Sequence, residues 1–204
     1  MVIRIAETTT PCREVYYLPG RGGRIETGLG QGLLARGVRV SGRETFGAFA
    51  KLGFQDQVQA IRGDLQDRFW TPDGLVIANS YGAYLFLHAL LDLDPFPGRV
   101  LLLSPVIGAA IHPQTAARFY PPRADALQKA AKNGKYPKAK NIDVHVGAND
   151  WQSGPRALTD FCQSVGMQIQ IVPDRGHMLG SDYVGPLLDV WCYKPSSHEL
   201  VGGT

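Results

Sequence analysis

Ser80 stands between a short apolar run, Gly74 to Ala78, and a longer one, Tyr81 to Leu91. The first suits a strand buried in a parallel sheet, and the second, apolar nearly all round, suits a buried helix. Asn79, Ser80, Tyr81 and Gly82 are too few for a relaxed loop, so the chain must turn sharply at Ser80. Such a turn crowds the residues two before and two after its apex, and Ala78 and Gly82 are small enough to permit it. It leaves the Ser80 hydroxyl at the carboxyl edge of the sheet, over a helix N-terminus whose partial positive charge stabilises a developing anion. A serine placed there does nucleophilic chemistry if a base removes its proton, and histidine is the side chain suited to that near neutral pH. A serine that only caps a helix is common, but it needs neither the preceding buried strand nor the small flanking residues.

Five histidines are candidates for the base. His88 lies in the apolar helix two turns beyond Ser80 and reads as core; His145 is inside a strand; His198 falls in a polar tail. His112 follows the apolar run Arg99 to Ser104, and His177 follows the last strand, with Gly176 allowing a close approach. A histidine base needs a carboxylate to orient it. Asp150 follows the run Ile142 to Val146 and could also cap a helix after Gly154. Asp174 lies three residues before His177, where an aspartate after Pro173 also reads as a turn former.

The elements that must position these groups alternate along the chain. Glu14 to Leu18 reads as the first buried strand, followed by the glycine-rich loop Pro19 to Arg24, a helix over Ile25 to Ala35, and a strand at Val38 to Ser41. From Thr45 to Trp70 the apolar residues fall at helical spacing, interrupted at Gly53. After the Ser80 unit come strands at Arg99–Ser104 and Ile142–Val146, a helix at Leu158–Val165, a strand at Ile169–Val172 and a helix at Tyr183–Trp191. This alternation predicts an α/β chain: a doubly wound, mostly parallel sheet with helices on both faces. Ligands of such sheets gather at the carboxyl ends of the strands. The length of 204 residues suits a single domain. Residues 1–13, with a short candidate strand at Val2–Ala6, and residues 194–204 read as loosely attached ends.

The Ala78–Gly82 turn resembles the nucleophile elbow of the α/β-hydrolase family, with alanine in the first glycine position. The resemblance runs from Glu14 to about Trp191. It implies Ser80 as nucleophile, His177 as base and Asp150 as orienting acid, because that family's order is nucleophile, acid, base, with the base after the last strand. It also implies an oxyanion hole made by the backbone N–H groups of Arg21 and Tyr81. In the family the glycine-rich loop opens with His-Gly, whereas here it opens Pro19-Gly20. The implied activity is a serine hydrolase cleaving a carboxylic ester or related acyl bond of a small molecule, with no cofactor and no metal. A thioesterase or small peptidase would use the same residues. The alternative is a catalytically silent scaffold of the same fold that binds a small ligand or a protein partner, which would have no need of all three side chains.

Composition excludes several other classes. The net charge of +3 is too small to argue for a nucleic-acid partner. The charge is uneven, however: residues 118–140 hold seven Lys or Arg against the single Asp125, a local +6 that leaves the rest at −3. This segment lies within the stretch between Ser104 and Asn141, where relatives of the family insert caps and which is too short for a large one; its charge is expected to be solvated. No G-x-x-x-x-G-K-S/T occurs, and Gly30, Gly32 and Ala35 fall inside a helix rather than at its start, so nucleotide binding is discounted. The three cysteines, Cys12, Cys162 and Cys192, form no metal spacing and suggest a reducing compartment. No apolar run is long enough to cross a membrane, and the N-terminus lacks a signal-peptide core, so a cytoplasmic location is expected. Nothing in the sequence specifies an oligomeric state.

Overall fold

The apolar runs Leu75–Ala78 and Val100–Leu103 become strands, because a segment without a polar face can be covered only by burial on both sides. A computed structural model describes residues 13–138 and 141–193. The strand expected at Val2–Ala6, Cys12, His198 and the tail from Lys194 lie outside the described residues. In chain order the elements are β1 (Glu14–Leu18), α1 (Leu29–Leu34), β2 (Arg39–Gly42), α2 (Gly47–Ala50), α3 (Phe54–Asp64, prolonged by a π-helical turn over Leu65–Phe69), β3 (Leu75–Asn79) and α4 (Ser80–Ala89). They continue with β4 (Arg99–Leu103), β5 (Ala110–Ile111), β6 (Arg118–Phe119), α5 (Ala126–Lys132), β7 (Ile142–Gly147), α6 (Pro155–Val165), β8 (Gln168–Val172) and α7 (Ser181–Trp191).

Among the described residues the main sheet has six strands, all paired in parallel, in the order β2-β1-β3-β4-β7-β8. The expected doubly wound α/β fold is therefore present. The chain first steps from β1 outward to β2, then crosses back to β3 on the other side of β1. The strand order thus reverses between β1 and β3, and ligands of open sheets bind in the crevice at such a reversal. The glycine-rich loop and Ser80 are the two segments that leave the carboxyl ends of those two strands.

Alternation along the strands divides the core in two. Tyr16, Leu18, Val76, Ala78, Val100 and Leu102 pack with α3, α4, α5 and α6, while Val15, Tyr17, Leu75, Ile77, Leu101 and Leu103 pack with α1 and α7. Helix α4 is the centre of the first layer, with every residue from Tyr81 to Ala89 buried. Burying side chains such as Leu85, Phe86 and Leu87 is worth about 1.5–3 kcal/mol each. The Tyr84 hydroxyl donates to the Pro122 carbonyl at 2.6 Å and the Tyr136 hydroxyl to that of Leu87 at 3.0 Å, tying the 105–138 segment onto α4.

Three local expectations need correction. Helix α1 begins at Leu29, not Ile25, because Gly28 has a φ of 55° and breaks the helical path before it. Helices α6 and α7 begin earlier than expected, at Pro155 and Ser181. The segment after β4 contains the hairpin β5–β6, whose two-residue strands are too short to show any periodicity.

His88 is the core residue it was expected to be. Its ring meets those of Tyr84 at 4.4 Å and Phe54 at 5.0 Å, and neither nitrogen has a hydrogen-bond partner among the described residues. Burial, reinforced by the charge of Arg123, lowers its pKa from 6.5 to about 4. An unfolded chain binds the proton more readily than the folded one, so stability due to His88 is complete above pH 6.5 and declines as pH falls toward 4. We expect unfolding free energy to drop by roughly 2 to 3 kcal/mol from this source between pH 7.5 and 4.5. Urea denaturation of wild type and His88→Phe across that range checks it; an unchanged slope in the variant would refute the assignment.

Candidate active site

Ser80 is where β3 becomes α4, with no residue in between. Asn79 is still extended, at φ −128° and ψ 147°, and Ser80 itself takes a left-handed φ of 51°. A non-glycine residue held there is strained by about 1–3 kcal/mol, and such strain is kept only where its surroundings over-determine it. The surroundings here are the end of β1: any Cβ at Gly82 would collide with the carbonyl oxygens of Leu18 and Pro19. The predicted need for a small residue two positions after Ser80 thus has a definite steric cause. Asn79 makes no capping bond, so its side chain leaves the first N–H groups of α4 unoccupied. Its Oδ1 instead accepts the Tyr17 hydroxyl at 2.9 Å.

Asp150 and His177 reach Ser80 on two loops that are fastened together. The Ala148 N–H donates to the Val172 carbonyl and the Asn149 N–H to that of Arg175, at 2.9 and 2.8 Å. Gly147 makes this contact possible, since a Cβ there would strike the carbonyls of Arg175 and Gly176. Asp150 is fully buried. Its Oδ1 accepts the N–H groups of Gln152 and Ser153 at 3.0 and 3.1 Å. Its two oxygens lie 3.0 and 2.9 Å from Nδ1 of His177, whose Nε2 lies 2.8 Å from the Ser80 hydroxyl. Burial pushes the Asp150 carboxyl up, but the hydrogen bonds from His177 and Ser153 outweigh it and hold the group below its ordinary range. An ionised carboxylate only accepts, so Nδ1 carries the proton and Nε2 is left to accept that of Ser80.

The rival residues are placed elsewhere. His88 is buried in α4. His145, in β7, holds the Tyr183 hydroxyl at 2.7 Å. His112 turns the β5–β6 hairpin, its Nδ1 accepting the N–H groups of Gln114 and Thr115 at 3.2 and 3.1 Å. Asp174 is exposed, with a φ of 57°, in the turn after β8.

The glycine-rich loop is anchored by Thr45. The Thr45 carbonyl accepts the Gly22 N–H at 3.0 Å, its hydroxyl accepts the Gly23 N–H at 3.1 Å, and that hydroxyl donates to the Gly20 carbonyl. Among the described residues no backbone bond engages the Arg21 N–H. The Arg21 guanidinium lies 4.8 Å from the centre of the Tyr81 ring and 5.7 Å from that of Phe119. Arg21 lines the same cleft as Ser80 and His177, whereas the Tyr81 ring lies behind it, against a small cavity shared with Thr45, Ala50 and Gln57.

That cleft has a volume of about 690 Å³, within the range of small-molecule sites. It extends away from Ser80 between α1 and α7, which sequence reasoning missed; Leu29, Gly32, Arg36, Val184, Gly185 and Leu188 form its far part. The available signal was the pair Gly28 and Gly32, one helical turn apart. None of the described residues of the basic segment lines the cleft; Lys138 donates to the Ser164 carbonyl at 2.6 Å. Among the described residues no group of three or more His, Cys, Asp or Glu could hold a metal ion, and no helix is long and apolar enough to cross a membrane.

No protein-family model and no curated protein matches the sequence. Solved structures do match the fold. The carboxylesterase CesB (YbfK) of Bacillus subtilis superposes with a TM-score of 0.63 at 13% identity, over 96% of this chain and 86% of that one. A monoacylglycerol lipase of Paleococcus ferrophilus gives 0.61 at 11% identity, over 86% and 92%. The ydeN gene product of B. subtilis gives 0.60 at 16% identity, over 89% and 100%. With its parallel six-stranded sheet, strand reversal between β1 and β3, and sharp β3–α4 turn, this chain has the α/β-hydrolase fold.

Proposed function

We propose that the protein is a serine hydrolase that cleaves a carboxylic ester or related acyl bond of a small molecule. The observation that carries this reading is the bonded series from buried Asp150 through His177 to Ser80, with 2.8 Å between Nε2 and the hydroxyl. Neighbours of the same fold described as a carboxylesterase and a monoacylglycerol lipase are consistent with it.

In the first step the Ser80 oxygen attacks the carbonyl carbon while its proton passes to Nε2 of His177. The carbonyl π electrons move to oxygen, and the N–H groups of Arg21 and Tyr81 are the donors assigned to that oxyanion. Asp150 holds the imidazolium that has formed. Collapse of the adduct breaks the bond to the leaving group, which takes the proton from Nε2. Water then repeats the sequence on the acyl-enzyme: it loses a proton to Nε2, attacks the acyl carbon, and releases the acid and free Ser80. Every proton is accounted for by His177, so the scheme calls for no cofactor.

The test is covalent labelling with an organophosphonate ester, whose tetrahedral adduct resembles the intermediate of acyl transfer. Intact-mass analysis should show one label per chain, and peptide mapping should place it on Ser80. His177→Ala should abolish it. A silent scaffold would react no faster than a surface serine, and its label would have no preferred site.

A further inference from the structure

The cleft continues well beyond the reacting groups. From Ser80 and His177 it runs on as a slot between α1 and α7, with Tyr17 and Leu103 of the sheet at its base and Leu29, Val184 and Leu188 along its sides. Gly32 on α1 and Gly185 on α7 line it from opposite walls, where any larger side chain would narrow it. Arg36 closes the far part. Its Nε donates to Asp189 at 2.6 Å, Nη1 to the Gly32 carbonyl at 2.8 Å and Nη2 to the Gly185 carbonyl at 3.1 Å. Three of its five N–H donors are engaged and Asp189 balances its charge, so this arginine is a strut between the two helices. The rest of the wall between the two helices is mainly aliphatic, Leu29, Val184 and Leu188, while the cleft as a whole also carries the polar side chains of Arg24, Thr27, Asn79, Ser104 and Ser181.

We infer that the slot binds an unbranched aliphatic chain of the substrate, its scissile carbonyl at Ser80 and its chain end toward Arg36. The inference rests on the hydrolase reading and names the substrate class for it. A hydrocarbon chain is the occupant because the wall between the helices is mainly aliphatic, and because the slot opens directly on the nucleophile. The chain can be carried on the acyl or on the alcohol side of the bond; the chemistry recognised is the same, and two substrate series separate them.

The experiment compares p-nitrophenyl esters of two to ten acyl carbons with acetate esters of alcohols of two to ten carbons. In wild type, kcat/KM should rise at least tenfold with length in one series, since each buried methylene contributes up to about fourfold. Gly32→Leu and Gly185→Leu fill the slot from opposite walls, and each should lower the eight-carbon to two-carbon ratio tenfold or more. Leucine is a better helix former than glycine, so folding should survive, and thermal unfolding verifies it. A second readout needs no turnover: decanoate should raise the thermal midpoint of Ser80→Ala and not that of Ser80→Ala combined with Gly32→Leu. A flat profile in both series, or a length dependence that neither leucine alters, overturns the slot while leaving the hydrolase intact. If no ester is cleaved and the phosphonate leaves Ser80 unlabelled, the hydrolase reading fails, and decanoate binding alone decides the slot.

Discussion

Ser80→Ala and His177→Ala are each expected to lower kcat on an activated ester by about 10⁵- to 10⁶-fold, and the double variant no further. The two residues act as one unit. Without the base, the hydroxyl keeps its proton; without the hydroxyl, the base has nothing to activate. The loss is therefore far from additive, and the residue of activity comes from binding and from oxyanion donors that belong to the backbone. Both variants should remain folded, because the Ser80 hydroxyl contacts only His177 among its described side-chain partners and His177 is part-exposed. Stopped assays with thermal unfolding of each variant check this. Equal activity of Ser80→Ala and wild type would end the hydrolase reading. The same scheme fixes the direction of the pH dependence: kcat/KM on a neutral ester should fall on acidification, because a protonated imidazole has no lone pair to accept the serine proton.

Asp150→Asn should lower kcat by about 10³- to 10⁴-fold, while Asp174→Asn changes it little. Asparagine nearly preserves the shape, but its amide can donate to Nδ1. That stabilises the tautomer with the proton on Nε2, which then cannot accept from Ser80. Asp174 is exposed in the turn after β8 and has no comparable place. Steady-state kinetics of the two variants under identical conditions decide it; a reversed order would transfer the orienting role to Asp174. Stability gives an independent readout. The Asp150 pKa is lowered on folding, so its contribution is present above the ordinary carboxylate range and is lost only as pH falls below about 4. Asp150→Asn should accordingly flatten the acid limb of stability below that pH.

Much of the framework was legible in the residues. A run such as Leu75–Ala78 or Val100–Leu103 has no polar face, and a sheet covered on both sides is the one setting that buries it; both runs became interior strands. The sharp turn at Ser80 was legible because it rests on local sterics, and the carbonyls of Leu18 and Pro19 are what a side chain at position 82 would strike. Helix ends were less legible. Gly28, in a left-handed conformation, stops α1 from starting at Ile25, and nothing in the apolar spacing reveals a backbone angle. The β5–β6 hairpin was invisible because strands of two residues have no period.

By itself, the sequence determined the layering of the chain, the candidate nucleophile and the short set of histidines and aspartates that could serve it. These follow from local composition and sterics, which act between neighbours. The family resemblance implied His177 and Asp150, but only tertiary structure brings them to Ser80. His177 lies 97 residues from it, and the bonds that bring its loop to Asp150 are backbone bonds such as Asn149 N–H to Arg175 C=O. Backbone groups are the same in every residue, so the mark that such a contact leaves in the sequence is only Gly147, whose missing side chain lets the two loops meet. The slot between α1 and α7 has the same origin. Arg36 and Asp189 are 153 residues apart, and the space they close off exists only once two helices from opposite ends of the chain pack on one face of the sheet.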